Sequence, residues 1–83
     1  MSAKVYVKVM VEFSPAGNLI PVQITWPDGR VFPIDRILDV GPGVAKSGGS
    51  GIRYLCRIQG KVVPLYFGAT SHGKADVWWC DGK

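Results

Sequence analysis

The sequence predicts a single all-β domain, and three observations support that class. Apolar and polar residues alternate over long stretches, such as the run from Val5 to Phe13, and a period of two is typical of strands with one buried face. The chain has 11 glycines and 6 prolines, which a fold with many tight turns requires. A helix does not explain the runs, because valines at every second position would scatter around a helical wheel. With 83 residues, 47% of them hydrophobic, we expect one domain spanning 1–83 and one core.

The segment around Pro27-Asp28-Gly29 predicts a β-hairpin. Alternating apolar residues lead up to this segment as far as Trp26 and resume at Phe32. Proline presets φ, aspartate bonds to its own backbone and glycine accepts a positive φ, so the three residues form a tight turn. Upstream, the run from Val5 to Phe13 predicts the first strand, and the segment 14–18 predicts the turn that leads into the second strand. We expect Trp26 to belong to the core.

The third strand, predicted over 30–40, contains one irregularity. Its apolar residues up to Leu38 and Val40 keep one face, but Arg36 falls on that face too. A charged side chain rarely points into a small core, because it would lose its water there. We therefore expect a β-bulge or a sharp bend near Asp35 and Arg36, which restores the alternation.

The second half of the chain predicts three further strands after one glycine-rich loop. Residues 41–51 hold five glycines and are expected to form a mobile loop. The remaining strands are predicted over 52–58, 62–67 and 75–80, with a turn at 59–61, a polar loop at 68–74 and a frayed end at 81–83. Pro64 lacks an N–H and predicts an edge position or a bulge in the fifth strand. This pattern favours a small antiparallel barrel of five to six strands, SH3-like or Sm-like, with an OB-like barrel as the alternative.

Charge and cysteine content narrow the class of partner. Lys and Arg number 10 against 6 Asp and Glu, which gives a net charge of +4 and favours polyanions as partners. Cys56 and Cys80 show no C-x-x-C spacing, so we expect two buried, reduced thiols in a cytoplasmic protein. No apolar run has the length of a membrane span, and the first strand follows the N-terminus without a signal peptide, so we expect no membrane partner.

The sequence gives no pattern for catalysis, a metal or a cofactor. The single histidine, His72, lies beside Ser71 but not at the spacing of a catalytic triad, and the acidic residues form no paired motif. His72 and the two cysteines do not have the spacing of a known metal site. We therefore expect a non-enzymatic protein without a cofactor.

The strongest candidate site is a basic surface with an aromatic platform. Arg53 and Arg57 share one face of a predicted strand, and Arg36 and Lys46 lie in neighbouring segments. In the final strand Trp78 and Trp79 are adjacent, so one of the two indoles is expected to point outward, and we take this to be Trp78. Small barrels bind single-stranded nucleic acid through such combinations of cations and exposed rings. The sequence thus predicts a nucleic-acid site formed by Arg53, Arg57, Arg36, Lys46 and Trp78.

Two alternatives remain open at this stage. An exposed tryptophan strand also suits a protein-interaction or homodimerisation module. The glycine-rich loop offers unshielded backbone N–H groups at Gly48, Gly49 and Gly51, and these can form a nest for a phosphate or a nucleotide. The loop is not a P-loop, because it lacks the G-x-x-x-x-G-K-[ST] order.

A resemblance to known bacterial proteins rests on two runs and the closing VWW. The two runs are LIPVQITWPDGRVFPIDRILDV and GGSGIRYLCRIQGKVVPLYF. Together they resemble a family of short bacterial proteins of the clostridial type, and they are similar to an actinobacterial domain of unknown function. The resemblance spans nearly the whole chain and implies a small β-barrel, but it implies no activity. Phe32 stands where the actinobacterial pattern has tyrosine, and the loop after Val40 is longer and richer in glycine.

Overall fold

A computed structural model of the protein describes residues 3–69 and 77–82. Those residues form eight β-strands and no helix: β1 (Ala3–Tyr6), β2 (Lys8–Phe13), β3 (Leu19–Thr25), β4 (Val31–Pro33), β5 (Arg36–Val44), β6 (Ser50–Ile58), β7 (Lys61–Ala69) and β8 (Val77–Gly82). The all-β class is therefore confirmed. Most of the predicted polar loop at 68–74, with His72, lies outside the described residues.

The strands form two antiparallel sheets rather than one closed barrel. The larger sheet has the order β1-β8-β7-β6-β5, and the smaller has the order β2-β3-β4. The predicted first strand is interrupted at Val7, so that β1 joins the larger sheet and β2 the smaller one. The predicted third strand is divided in the same way at Ile34 and Asp35. The prediction of a single closed barrel is thus wrong, because among the described strands no pairing joins the edges of the larger sheet, β1 and β5, to the edges of the smaller one, β2 and β4.

The predicted bend near Asp35 and Arg36 is confirmed. The N–H of Ile34 bonds to a carbonyl of β3, whereas the N–H of the next residue, Asp35, bonds to a carbonyl of β6. A further register shift follows between Ile37 and Asp39. As a result Ile37 packs against the core, whereas Leu38 and Val40 are exposed.

The turns follow the sequence closely. The turn at 14–18 is closed by the N–H of Ser14, which donates to the carbonyl of Asn18 at 2.9 Å. The Pro27-Asp28-Gly29 turn is closed by the N–H of Gly29, which donates to the carbonyl of Trp26 at 2.9 Å. Gln59 and Gly60, both at positive φ, join β6 to β7. β7 lies inside the larger sheet between β8 and β6, and its register with β6 has no bulge, so the edge position or bulge predicted for this strand from Pro64 is wrong. Proline is tolerated there because Pro64 precedes the part of β7 that pairs with β8.

The glycine-rich segment is mostly strand, which corrects the predicted mobile loop. Residues 41–44 pair with 50–53, and only 45–49 form the turn between β5 and β6. Glycine suits Gly51 because a Cβ there would overlap the carbonyl oxygen of Phe67 on β7. The predicted frayed end is also wrong as far as Gly82, because Asp81 and Gly82 pair with β1. We call the turn at 45–49 the arm tip.

Apolar side chains are buried on both faces of the larger sheet. The main core lies between the sheets and consists of Val7, Ile24, Tyr54, Cys56, Ile58, Leu65 and Cys80. Trp26 packs against this core, as predicted. A second cluster, on the opposite face, consists of Ala45, Tyr66 and Trp79, with Ala45 supplied by the arm tip. The arm tip therefore folds back over the larger sheet.

Candidate nucleic-acid interface

Neither of the adjacent tryptophans is exposed, which corrects the prediction of an outward indole. Trp79 is fully buried and stacks on Tyr66 with 5.7 Å between ring centroids. Trp78 is half-buried and packs on Phe67, at 4.5 Å between centroids, on the side of the main core. The alternation of β8 is regular, but the arm tip covers the face that would otherwise be open. Trp78 therefore is not the exposed ring that the predicted nucleic-acid surface assumed.

The predicted basic residues separate into two groups. Arg53 is half-buried beside Tyr66, and its guanidinium lies 3.9 Å from the carboxylate of Asp39. Lys46 lies in the arm tip, at the far end of the β5–β6 hairpin from Arg57. Arg53 and Arg57 share a face of β6, but four strand residues span about 13 Å. Arg53 and Lys46 thus lie apart from the other predicted site residues.

Arg36 and Arg57 are brought directly together. They occupy opposite positions in the β5–β6 ladder, so both side chains leave the same face of the sheet about 5 Å apart at Cβ. Both are exposed, and neither has a carboxylate partner among the described residues. Like charges directly opposite each other destabilise a sheet. A bound anion between them would remove that repulsion.

Two further cations lie at the same end of the molecule, beside the gap between the two sheets. Lys61 pairs with Ile58 at the start of β7 and is exposed. Arg30 follows the β3–β4 turn, where its Nε bonds to the carboxylate of Asp28 at 2.6 Å. The backbone N–H of Arg30 is the main cause that lowers the pKa of Asp28, so this carboxylate stays charged beside Arg30. We call Arg30, Arg36, Arg57 and Lys61 the basic end.

A pocket of about 250 Å³ opens at the basic end, between the β3–β4 and β6–β7 turns. Apolar residues from both sheets form its walls, and Trp26 and Phe32 meet edge to face there, 6.4 Å apart. The guanidinium of Arg30 lies 5.6 Å from the centre of the Phe32 ring. We call this cavity the end pocket; it is lined by Ile24, Trp26, Arg30, Phe32, Ile58, Gln59, Lys61, Val63 and Cys80. Sequence reasoning missed it, although Trp26 and Phe32 flank the hairpin turn in the sequence.

The turn that contains Gly48 and Gly49, two of the glycines predicted for a phosphate, binds a carboxylate of the protein itself. The N–H groups of Lys46 and Ser47 donate to Asp81 at 2.9 and 3.2 Å, and the Ser47 hydroxyl also donates to it. Lys4 donates to the carbonyl of Gly48 at 2.6 Å. Burial alone would raise the pKa of Asp81, but these hydrogen bonds and the charge of Lys4 lower it.

The three glycines named for the phosphate site are therefore not an open cradle. The N–H of Gly48 donates to the carbonyl of Ala45, and the N–H of Ala45 donates to the carbonyl of Gly49. Gly51 lies inside β6. Asp81 occupies the position that a phosphate would take against the amides of the arm tip.

The thiols and acidic groups give no catalytic or metal arrangement in the described ranges. Burial raises the pKa of Cys56 to about 11 and, with smaller contributions from Cys56 and Asp81, that of Cys80 to about 12. Both thiols thus stay protonated near neutral pH and are poor nucleophiles and ligands. Across residues 3–69 and 77–82, no three His, Cys, Asp or Glu side chains lie together as a metal site would require.

Comparison with known proteins adds no relative. No family model matches the chain, and neither the curated proteins nor the solved structures contain a significant match. In the described part of the chain, no helix is long and apolar enough to cross a membrane.

Proposed function

We propose that this protein is a non-enzymatic module that binds single-stranded nucleic acid through its basic end. The observation that carries the proposal is the opposed pair of Arg36 and Arg57, exposed and without a carboxylate partner in the described residues. A strand of phosphates supplies the negative charges that such a pair lacks. Trp26 and Phe32, at the adjacent end pocket, take the aromatic role that the sequence assigned to Trp78.

The proposal predicts binding that depends strongly on salt. A labelled oligodeoxythymidylate should bind at low salt, and the logarithm of its affinity should fall linearly with the logarithm of salt concentration. Fluorescence anisotropy at several salt concentrations measures this slope. Changing Arg36 and Arg57 together to Gln should reduce the slope by about 1.4, because each phosphate contact on a single strand contributes about 0.7.

The matched control removes two charges elsewhere on the same chain. Lys8 lies on β2 and Lys46 in the arm tip, and both are exposed, so changing both to Gln lowers the net charge equally. This control should leave the slope nearly unchanged. Absence of binding at low salt, or equal losses in the two double variants, would reject the basic end as the site.

We also propose that the fold is an open variant of the SH3-like or Sm-like type, in which bent strands connect two sheets that do not close into a barrel. Two features support this assignment. The N–H of Val7 bonds to the carbonyl of Trp78 at 3.1 Å, where the chain passes from β1 to β2. At the second corner, Ile34 and Asp35 donate to β3 and β6 in turn. Strands that bend from one sheet into the other are typical of small orthogonal barrels.

A second candidate function is protein interaction or homodimerisation, for which the edge strand β5 is better suited than the tryptophan strand. β8 lies inside the sheet between β1 and β7, whereas β5 has one free edge. Val40 and Val44 on β5 are 51% and 75% exposed. Sedimentation velocity tests this candidate: a dimer that Val40→Lys dissociates supports it, and a monomer at high concentration rejects self-association.

A further inference from the structure

The end pocket lies where a strand bound to the basic end would pass. Lys61 and Arg30 line its rim, and Lys61 lies opposite Ile58, which forms part of its wall. Arg57 and its neighbour Arg36 leave the other face of the larger sheet, because successive residues of a strand point to opposite faces. The two turns that flank the pocket belong to different sheets, so its mouth opens at the end of the gap between them. Phosphates held by Arg30 and Lys61, the two members of the basic end at this mouth, would therefore have their bases within reach of the pocket.

The pocket has the size and lining for one aromatic ring. Its volume of about 250 Å³ exceeds the ~150 Å³ that suffices for benzene in an apolar cavity. Ile24, Val63 and Phe32 provide apolar walls, and Cys80, only 2% exposed, closes the inner end. An aromatic ring gains free energy when such walls remove both of its faces from water.

Gln59 supplies a polar group at the mouth. It is exposed, lines the pocket and is fixed at φ 53, with its N–H bonded to the carboxylate of Asp35 at 3.1 Å. A left-handed turn position favours Asn, Asp or Gly, so glutamine is an unusual residue there. Its side-chain amide carries both a donor and an acceptor, which is what the edge of a nucleobase requires.

We propose that the end pocket takes up a single unstacked nucleobase from a strand whose phosphates lie on the basic end. This inference rests on the proposed function and adds the part of the ligand that the pocket recognises. A base has two apolar faces and one polar edge, which match the walls and Gln59. An aliphatic chain would leave Gln59 without a role.

The experiment compares two labelled decamers that carry the same phosphates. One is decadeoxythymidylate, and the other consists of ten abasic deoxyribose phosphates. The protein should bind the thymidylate strand roughly tenfold more tightly at equal salt, since stacking of one base on a protein is worth about that factor. Equal affinities for both strands would overturn the pocket proposal and leave the basic end standing. Binding of neither strand at low salt would overturn both.

Variants and spectra then locate the base. Val63→Phe fills the pocket without changing any charge, and it should abolish the tenfold preference while the salt slope persists. Val44→Phe, at an exposed position at the end of β5, is the matched control and should keep the preference. If Val63→Phe does not fold, the unmodified protein answers the same question by NMR. The Val63 methyl and Trp26 indole signals should move with thymidylate but not with the abasic strand, and the absence of that difference would reject the pocket.

Discussion

Replacement of Asp81 by alanine is expected to lower the free energy of unfolding by about 2 kcal/mol. The carboxylate accepts hydrogen bonds from two backbone N–H groups and one hydroxyl of the arm tip. A buried hydrogen bond to a charged group contributes roughly 1.5–3 kcal/mol. Asp81 is only half-buried, so water can replace part of each hydrogen bond when it is lost. We therefore assign about 0.7 kcal/mol to each of the three hydrogen bonds.

Urea unfolding followed by circular dichroism measures this loss. The matched control is Asp39→Ala, because Asp39 is exposed and makes only a long ion pair, 3.9 Å from Arg53. That exposed pair should contribute less than about 0.5 kcal/mol. Hydrogen exchange adds a local readout. The Lys46 and Ser47 amides should exchange faster in Asp81→Ala, whereas their exchange rates should be unchanged in the control.

The pH dependence gives a second test of the same contact. The pKa of Asp81 is lower in the folded protein than in the unfolded chain, so the folded state binds this proton less readily. Its contribution is therefore fully present above the ordinary aspartate pKa and is lost as the pH falls through the folded value. The stability difference between the protein and Asp81→Ala should shrink in that acid range. Equal urea midpoints for Asp81→Ala and Asp39→Ala at neutral pH would refute the claim that the hydrogen bonds between Asp81 and the arm tip stabilise the fold.

Two further predictions concern the larger sheet. At pH 10 the free energy of unfolding should be about 3 kcal/mol lower than at pH 7, because Cys56 and Cys80 keep their protons when folded but ionise when unfolded near pH 9. Cys80→Ala should remove about half of that alkaline decrease in urea titrations, and an unchanged decrease would contradict the assignment. Gly51→Ala should destabilise the fold by about 2 kcal/mol, because its Cβ would meet the Phe67 carbonyl, whereas Gly41→Ala has open space and should stay within about 0.5 kcal/mol in thermal unfolding.

Local features of the fold could be predicted because they depend on neighbours in sequence. The Pro27-Asp28-Gly29 turn follows from the dihedral preferences of its three residues. The bend at Asp35 follows from Arg36, since a charge on the core side forces the strand out of phase. Neither conclusion requires knowledge of which strands pair.

The buried tryptophans could not be predicted, because their cover comes from a distant segment. Alternation along β8 places one indole on each face, and that part of the reasoning holds. Whether a face is open depends on where the arm tip returns, and Ala45 reaches Trp79 only through the length and curvature of the β5–β6 hairpin. The glycines that suggested a loose loop instead permit close strand contacts, as at Gly51.

The candidate site required the register of the strands as well as their positions. The sequence supplies Arg36 and Arg57 as two unrelated cations, and only the β5–β6 register makes them direct neighbours. The end pocket likewise requires the two sheets to be placed together, because its walls come from β3, β4, β6, β7 and β8. Composition alone indicated a basic surface without giving its location.

The pairing of β1 with β8 has a consequence for how the molecule is assembled. β1 comes before every other strand and β8 after them, yet Ala3 lies opposite Gly82. Bringing such distant segments together costs chain entropy that few local contacts offset early on, so we expect closure to be late and folding to take milliseconds to seconds. A nascent chain that has not yet produced β8 leaves β1 without its neighbour and the β7 edge bare, which is a state prone to aggregation.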